Sequence, residues 1–197
     1  DSSTSRGLGD VYKRQGPVHL DLSPATAAAT VPAQAAVQPP VVLTPSVTET
    51  DPAVRRIAER IGQAKRPLII AGFEAARDGA GDALLQLAEA INAPVVTTYK
   101  AKGVIPEDHP LSLGAAGLSP LADRILFDLA SQADLLLLIG YDPIEMRLGW
   151  LDFVDDPWKL IEVGRSPPDH GMHHAAIQVT ASTKAFLDGL NLSLIHI

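Results

Sequence analysis

Leu135 to Ile139, LLLLI, restricts this chain more than any other segment. Five consecutive aliphatic residues leave no polar face, so the run is stable only as a strand covered on both sides, near the middle of a sheet. Similar short runs stand at Pro67 to Gly72 (PLIIAG), Pro94 to Thr98 (PVVTT), Leu160 to Val163 and Ile177 to Thr180, and Leu111 to Gly114 supplies a further short strand. Between them, apolar residues recur at helical spacing. Val54, Ile57, Ala58 and Ile61 form one stripe, Leu84, Leu87, Ala88 and Ile91 a second, and Leu118, Leu121, Ala122, Ile125 and Leu129 a third, each expected to pack on the sheet. Thr50 or Asp51 caps the first of these helices, with Pro52 in its first turn, and Ser182 to Leu190 forms a closing helix. Strands alternating with helices pair in parallel through right-handed crossovers. The fold class is therefore α/β: a three-layer, Rossmann-like parallel sheet of about six strands with helices on both faces.

With 197 residues, the chain can hold one substantial domain plus appendages. Hydrophobic residues make up 46% but aromatics only 5%, so the core is aliphatic. The net charge of −7 argues against a phosphate-backbone partner, and Arg55, Arg56 and Arg60, off the first stripe, are expected on a solvated face. No cysteine is present, which removes disulfides, thiolate metal sites and cysteine nucleophiles and fits a cytoplasmic setting. No apolar run approaches the ~18 residues of a membrane span, so no membrane partner is expected.

In open parallel sheets, ligands lie beyond the carboxyl ends of the strands. Gly72 to Gly79, Thr97 to Gly103, Gly114 to Gly117, Gly140 to Arg147 and Gly164 to His170 should thus share one edge. Candidate cofactor-binding residues there are Gly72, Thr97, Thr98, Gly114, Gly117, Tyr141, Arg147 and Gly164. The connection from Tyr99 to Pro120 is far longer than the ~2–6 residues usual between a strand and a helix, which marks it as a ligand loop or its relic. Val104, Ile105, Leu111, Leu113 and Leu118 offer it apolar anchors. Glu74 and Asp78 place negative charge beside a helix start that would otherwise attract pyrophosphate.

Thr97-Thr98 with Lys102-Gly103, then PEDHPLSLG and Gly117, resembles the central domain of thiamine diphosphate enzymes of the acetolactate synthase type. Three segments match in the same order: GPVHLDL at Gly16 to Leu22, ADLLLLIG at Ala133 to Gly140 and WKLIEV at Trp158 to Val163. The resemblance implies a strand at 16–22 that closes a preceding pyrimidine-binding domain, orphaned here, and a central domain at 50–190. Residues 23–49, rich in Pro and Ala, are expected to form an extended linker. Residues 1–15 and 191–197 fall outside the likeness and read as foreign or disordered flanks. The chain is thus expected to be a fragment.

By the same resemblance, the parent enzyme is a 2-oxo acid carboligase or decarboxylase using thiamine diphosphate and Mg²⁺, homo-oligomeric, with its catalytic domains in the same chain. Those cofactors are bound outside this fragment, which carries no catalytic residue and is expected to be inactive. FAD or ADP is disfavoured. In FAD-bearing relatives a glycine loop follows the first strand, an Arg follows the central strand and Asp residues follow the last two. Here Phe73, Glu74 and Ala75 follow Gly72, Tyr141, Asp142 and Pro143 follow Gly140, leaving Arg147 as a displaced substitute, and Gly164, Ser166 and Ser182 stand at the acidic positions.

Two rivals are weighed against this reading. A stand-alone nucleotide-binding module of an unrelated protein shares the sheet. A dehydrogenase is disfavoured because no G-x-G-x-x-G follows the first strand. Other constellations read as structural: His170, His173 and His174 as surface or loop residues, Asp134 as a strand entrance, Asp142 as a turn, Ser119-Pro120 as a helix start, and Trp150 and Trp158 as covers of the sheet end or an interface.

Overall fold

The computed structural model describes residues 19, 21, 23–30, 47–146, 156–167 and 173–195, which divide into two units, Asp1–Val42 and Leu43–Ile197. In the first unit, Ser23 caps a short helix α1 (Pro24–Ala28), its hydroxyl accepting from Thr26 N at 3.1 Å. The expected linker is therefore not extended throughout. A Ser cap, Pro at the first position and the alanines that follow favour one helical turn. Of the strand expected at 16–22, only His19 and Asp21 are described; both are exposed, and they approach to 3.2 Å. The rest of that strand lies outside the described residues.

The second unit is built on six parallel strands: β1 (Pro67–Ala71), β2 (Val95–Thr98), β3 (Ser112–Ala116), β4 (Leu135–Ile139), β5 (Leu160–Gly164) and β6 (Ile177–Thr180). Their order is β3-β2-β1-β4-β5-β6. The aliphatic run is indeed interior: β4 lies between β1 and β5, pairs Ile70 with Leu138 and Leu138 with Glu162, and is buried at all five positions.

One face of the sheet is covered by α2 (Pro52–Gln63), α4 (Gly81–Ala90) and α6 (Thr183–Ile195). Asp51 caps α2, accepting from Ala53 N at 2.8 Å, and Val54, Ile57, Ala58 and Ile61 point inward as their spacing requires. Arg55 and Arg56 are exposed, while Arg60 donates to Trp158 O. Helix α6 runs past the expected end at Leu190. Asn191 Nδ2 donates to Ala83 O at 2.9 Å and Ser193 is buried, so the last turn is held by the neighbouring helix. Gly189 packs flush on the backbone of Val47 to Glu49, and Val47 itself joins the core.

The other face carries α5 (Pro120–Gln132), and here the structure corrects the sequence reading. The helix forms, but Leu118, Leu121 and Ile125 face away from the sheet, and Leu129 stands partly exposed in a groove beside Leu68 and Leu113. The inward side holds Asp123, Ala130 and the half-buried Leu126 and Phe127. Asp123 fixes this rotation: both its oxygens accept from Gly117 N, at 3.2 and 3.1 Å. Periodicity defines a face without saying which way it points. A second correction concerns Gly72 to Gly79, which is a short helix α3 (Phe73–Arg77) rather than an open loop.

Candidate functional site

Because all six strands are parallel, their carboxyl ends share one rim, and the expected residues gather there. Gly72 N donates to Ile139 O at 2.9 Å and Gly140 N to Val163 O at 2.7 Å, which stitches the ends of β1, β4 and β5 together. Ala181 N donates to Gly164 O, extending the seam to β6. On the other side, Thr97 and Thr98 pair with Ala115 and Ala116, next to Gly117. Gly114 lies within β3 rather than beyond it. Arg147 lies outside the described residues, as do Trp150 and His170.

The crevice of such a sheet is at its switch point, here between β1 and β4. It is closed by backbone. A Cβ on Gly72 would stand 2.3 Å from Gly140 O, and one on Gly140, whose φ is +60°, would stand 2.5 Å from Ala75 N. Glu74 N donates to Gly140 O at 3.2 Å across the same gap. Both glycines are needed for this contact.

Four carboxylates of the chain then occupy donors along the rim. Asp123 takes Gly117 N at the end of β3. Glu145, 7% exposed, accepts from Thr98 Oγ1 at 2.6 Å and from Phe73 N, the first N–H of α3, at 3.4 Å. Glu74 accepts from Arg165 N at 2.9 Å beyond β5, directly over Gly164. Asp78, whose side chain is fully buried, accepts from Arg165 Nε, from Ser182 Oγ at 3.1 Å, and from Thr183 N and Oγ1 at 2.8 and 2.9 Å. Glu74 and Asp78 therefore do more than repel an anion; they serve as internal anions.

Their electrostatics follow from these partners. Burial disfavours the charge of Asp78, but the hydrogen bonds from Arg165, Thr183 and Ser182 prevail and hold its carboxyl below the ordinary range. At Glu145 burial prevails over the bonds from Thr98 and Phe73 and the charge of Lys100, so its carboxyl is pushed up. Tyr141 is also pushed up, by burial first and then by Glu145, Asp142 and Glu162. Its hydroxyl has no hydrogen-bond partner among the described residues.

Sequence reasoning passed over Glu145, whose only signal was a carboxylate three residues beyond the turn that ends the central strand. His173 lies in a loop, as expected, but not at the surface. That side chain is 8% exposed, lies 3.4 Å from Glu162 Oε2 and stacks obliquely on Tyr141, with ring centroids 6.1 Å apart. His174 is exposed, as expected of a loop residue.

The long connection after β2 packs on the protein itself. Ala101 and Ile105 are buried, Val104 O lies against Gly81 at the start of α4, and His109 Nε2 meets Glu89 Oε1 at 3.2 Å. Leu118 is the one expected anchor that stands exposed. Trp158 lies at the opposite, amino end of β5 and is 71% exposed. Among the described residues, no group of three or more His, Asp or Glu converges in the manner of a metal site, and no helix is long and apolar enough to cross a membrane.

Residues 54–190 match the family profile described as thiamine pyrophosphate enzyme, central domain. The chain is 32% identical over 143 residues to the probable acetolactate synthase large subunit of Methanocaldococcus jannaschii, covering 72% of this chain and 24% of that protein. It is 31% identical over 143 residues to the probable 2-ketoarginine decarboxylase of Pseudomonas aeruginosa, again covering 72% and 24%. An X-ray structure from Mycobacterium smegmatis, assigned to the thiamin diphosphate-dependent enzymes, superposes with a TM-score of 0.63 at 23% identity, over 78% of this chain and 29% of that one. The chain thus spans about a quarter of the length of the curated relatives it matches.

Proposed function

The chain belongs to the family of thiamine pyrophosphate enzyme central domains, and from that premise we propose that it is the non-catalytic middle domain of a larger enzyme acting on 2-oxo acids by decarboxylation or carboligation. The observation that carries this reading is the coincidence of the 54–190 match with the complete six-stranded unit. The names of the relatives, two of them an acetolactate synthase and a 2-ketoarginine decarboxylase, support the substrate class.

Thiamine diphosphate with Mg²⁺ would supply the carbon–carbon chemistry from domains outside this chain. The residues here would hold a rigid wall. Glu74, Asp78, Asp123 and Glu145 tie the strand ends to one another, fixing the edge against which neighbouring domains sit. On this reading residues 16–22 belong to a preceding pyrimidine-binding domain, 23–49 form a linker and 1–15 are a flank, while 191–195 continue the last helix of the central domain. The parent protein would be a cytoplasmic homo-oligomer.

The rim is a poor cradle for FAD or ADP. Its helix-start N–H groups already face carboxylates, and its switch point is filled by Gly72 and Gly140. Calorimetric titration of the 197-residue chain with FAD, ADP and thiamine diphosphate plus Mg²⁺ should give no binding heat. The full-length parent should decarboxylate pyruvate or a related 2-oxo acid only when both thiamine diphosphate and Mg²⁺ are present. Micromolar FAD or ADP binding by the isolated chain would overturn the architectural reading.

A further inference from the structure

Helix α5 is rotated against the usual rule for a helix in an outer layer, which keeps its apolar face on the sheet and its polar face in water. Leu121 and Ile125, 78% and 69% exposed, point away from the sheet, Leu129, 41% exposed, continues that side and lines a groove with Leu68, Pro94 and Leu113, and Leu118 just before the helix is 57% exposed. The inward side instead carries Asp123, 3% exposed, and Ala130. On the opposite face of the sheet, α2 obeys the rule, with Arg55, Arg56 and Glu59 outward.

The inversion is fixed rather than incidental, because Asp123 grips Gly117 N with both oxygens and sets the rotation of the helix. Positions 121, 125 and 129 then form one strip about 12 Å long, at the ~1.5 Å rise per residue of a helix, and Leu118 lies just before its start. Arg124 and Asp128, both exposed, flank it.

We infer that this strip docks against another domain of the same parent chain, an inference that rests on the central-domain reading. Two observations choose that occupant. The first is size: four aliphatic side chains present at most a few hundred Å², whereas a stable complex of free partners buries ~800 Å² on each side. Interfaces between tethered domains hold from ~600 Å² in total, because the tether supplies a high effective concentration. The second is length: the relatives extend over about four times the matched span, so same-chain domains accompany this one. The docked surface should be aliphatic at its centre, with acidic and basic groups opposite Arg124 and Asp128.

The test uses the 197-residue chain and the full-length parent. By sedimentation velocity the chain should be monomeric at micromolar concentration, and it should bind a hydrophobic dye. Leu121→Asp with Ile125→Asp should abolish most dye binding while shifting the melting temperature by no more than about two degrees, since both side chains stand in water. In the full-length enzyme the same pair should lower the melting temperature by several degrees and reduce kcat. A tight dimer of the chain that the pair dissolves would assign the strip to a second copy and overturn the inference; so would dye binding that the pair leaves intact. An active full-length enzyme indifferent to the pair would overturn the docking while leaving the central-domain reading in place. A full-length protein with no thiamine diphosphate-dependent activity even before substitution would overturn that reading itself.

Discussion

Asp78 Oδ2 accepts both the backbone N–H and the hydroxyl of Thr183, at 2.8 and 2.9 Å, so a residue just past α3 closes the start of the last helix. With Ser182 Oγ and Arg165 Nε on the same buried carboxylate, the loops after β1, β5 and β6 meet at one side chain. Asp78→Ala would leave these donors unpaired and should cost about 2–4 kcal/mol in chemical denaturation.

The same carboxylate has a pH signature. Its folded-state pKa is depressed, so its contribution is fully present above the unfolded value of about 4 and is lost as the pH falls through the lower folded value. Asp78→Asn should therefore be destabilising at pH 7 and progressively less so toward pH 3. Urea denaturation of the two proteins across that range checks it; a constant difference would show that the charge contributes nothing.

Glu145 should behave in the opposite sense. Burial raises its folded-state pKa, so folding takes up a proton and stability declines as the pH rises from the unfolded value through the folded one. Glu145→Gln removes the buried charge, keeps one acceptor oxygen for Phe73 N and turns an NH2 donor toward the Thr98 hydroxyl, which can accept as well as donate; it should stabilise the protein at pH 7 by a few tenths to about 1 kcal/mol, the gain vanishing near pH 4. Thr98→Val strands the carboxylate and should destabilise by about 1–2 kcal/mol.

Two of the four glycines chosen from the sequence as ligand positions, Gly72 and Gly114, should separate sharply. At Gly72 a Cβ meets backbone that cannot yield, Gly140 O and Tyr141 Cα at 2.3 and 2.5 Å, so Gly72→Ala should cost about 3 kcal/mol. Gly114 has a φ of +79° but nothing within 4 Å of its Cβ position, so Gly114→Ala should cost only the left-handed strain, about 1–2 kcal/mol. Thermal melts of both variants without any ligand decide it. Equal losses would mean that the β1–β4 closure is softer than its geometry.

The sheet was legible because its signals are local. Runs such as LLLLI have one stable environment, and Asp51-Pro52 marks a helix start by its own chemistry. The rotation of α5 was not legible, since it depends on Asp123 reaching Gly117 across a turn, and a stripe of leucines reads identically whether it faces in or out. The rim was half legible. Parallel topology placed Gly72, Thr98, Tyr141 and Gly164 together, but the partner of Thr98 lies 47 residues away and those of Asp78 lie 87 to 105 residues away. Such pairings depend on the assembled sheet and leave no periodic trace. The burial of the His173 loop position was not legible for the same reason, because Glu162 gives it a buried partner only once β5 is in place.

Asp134 tests whether a carboxylate can organise the opposite, amino edge with little charge energy. Its oxygens accept from Lys65 N at 2.8 Å and Arg66 N at 2.9 Å, fastening the turn that leads into β1 at the entrance of β4. Slight burial opposes its ionisation, but these bonds and the charge of Arg66 outweigh it and lower its pKa. Because the residue is exposed, solvent screens most of that charge. Asp134→Asn, which keeps one acceptor oxygen, should therefore cost less than about 1 kcal/mol at pH 7, the difference disappearing as the pH falls below the folded pKa. Asp134→Ala, which frees both N–H groups, should cost more at every pH. If the two variants proved equal, charge rather than acceptor geometry would be holding the turn, and the contrast drawn with buried Asp78 would fail.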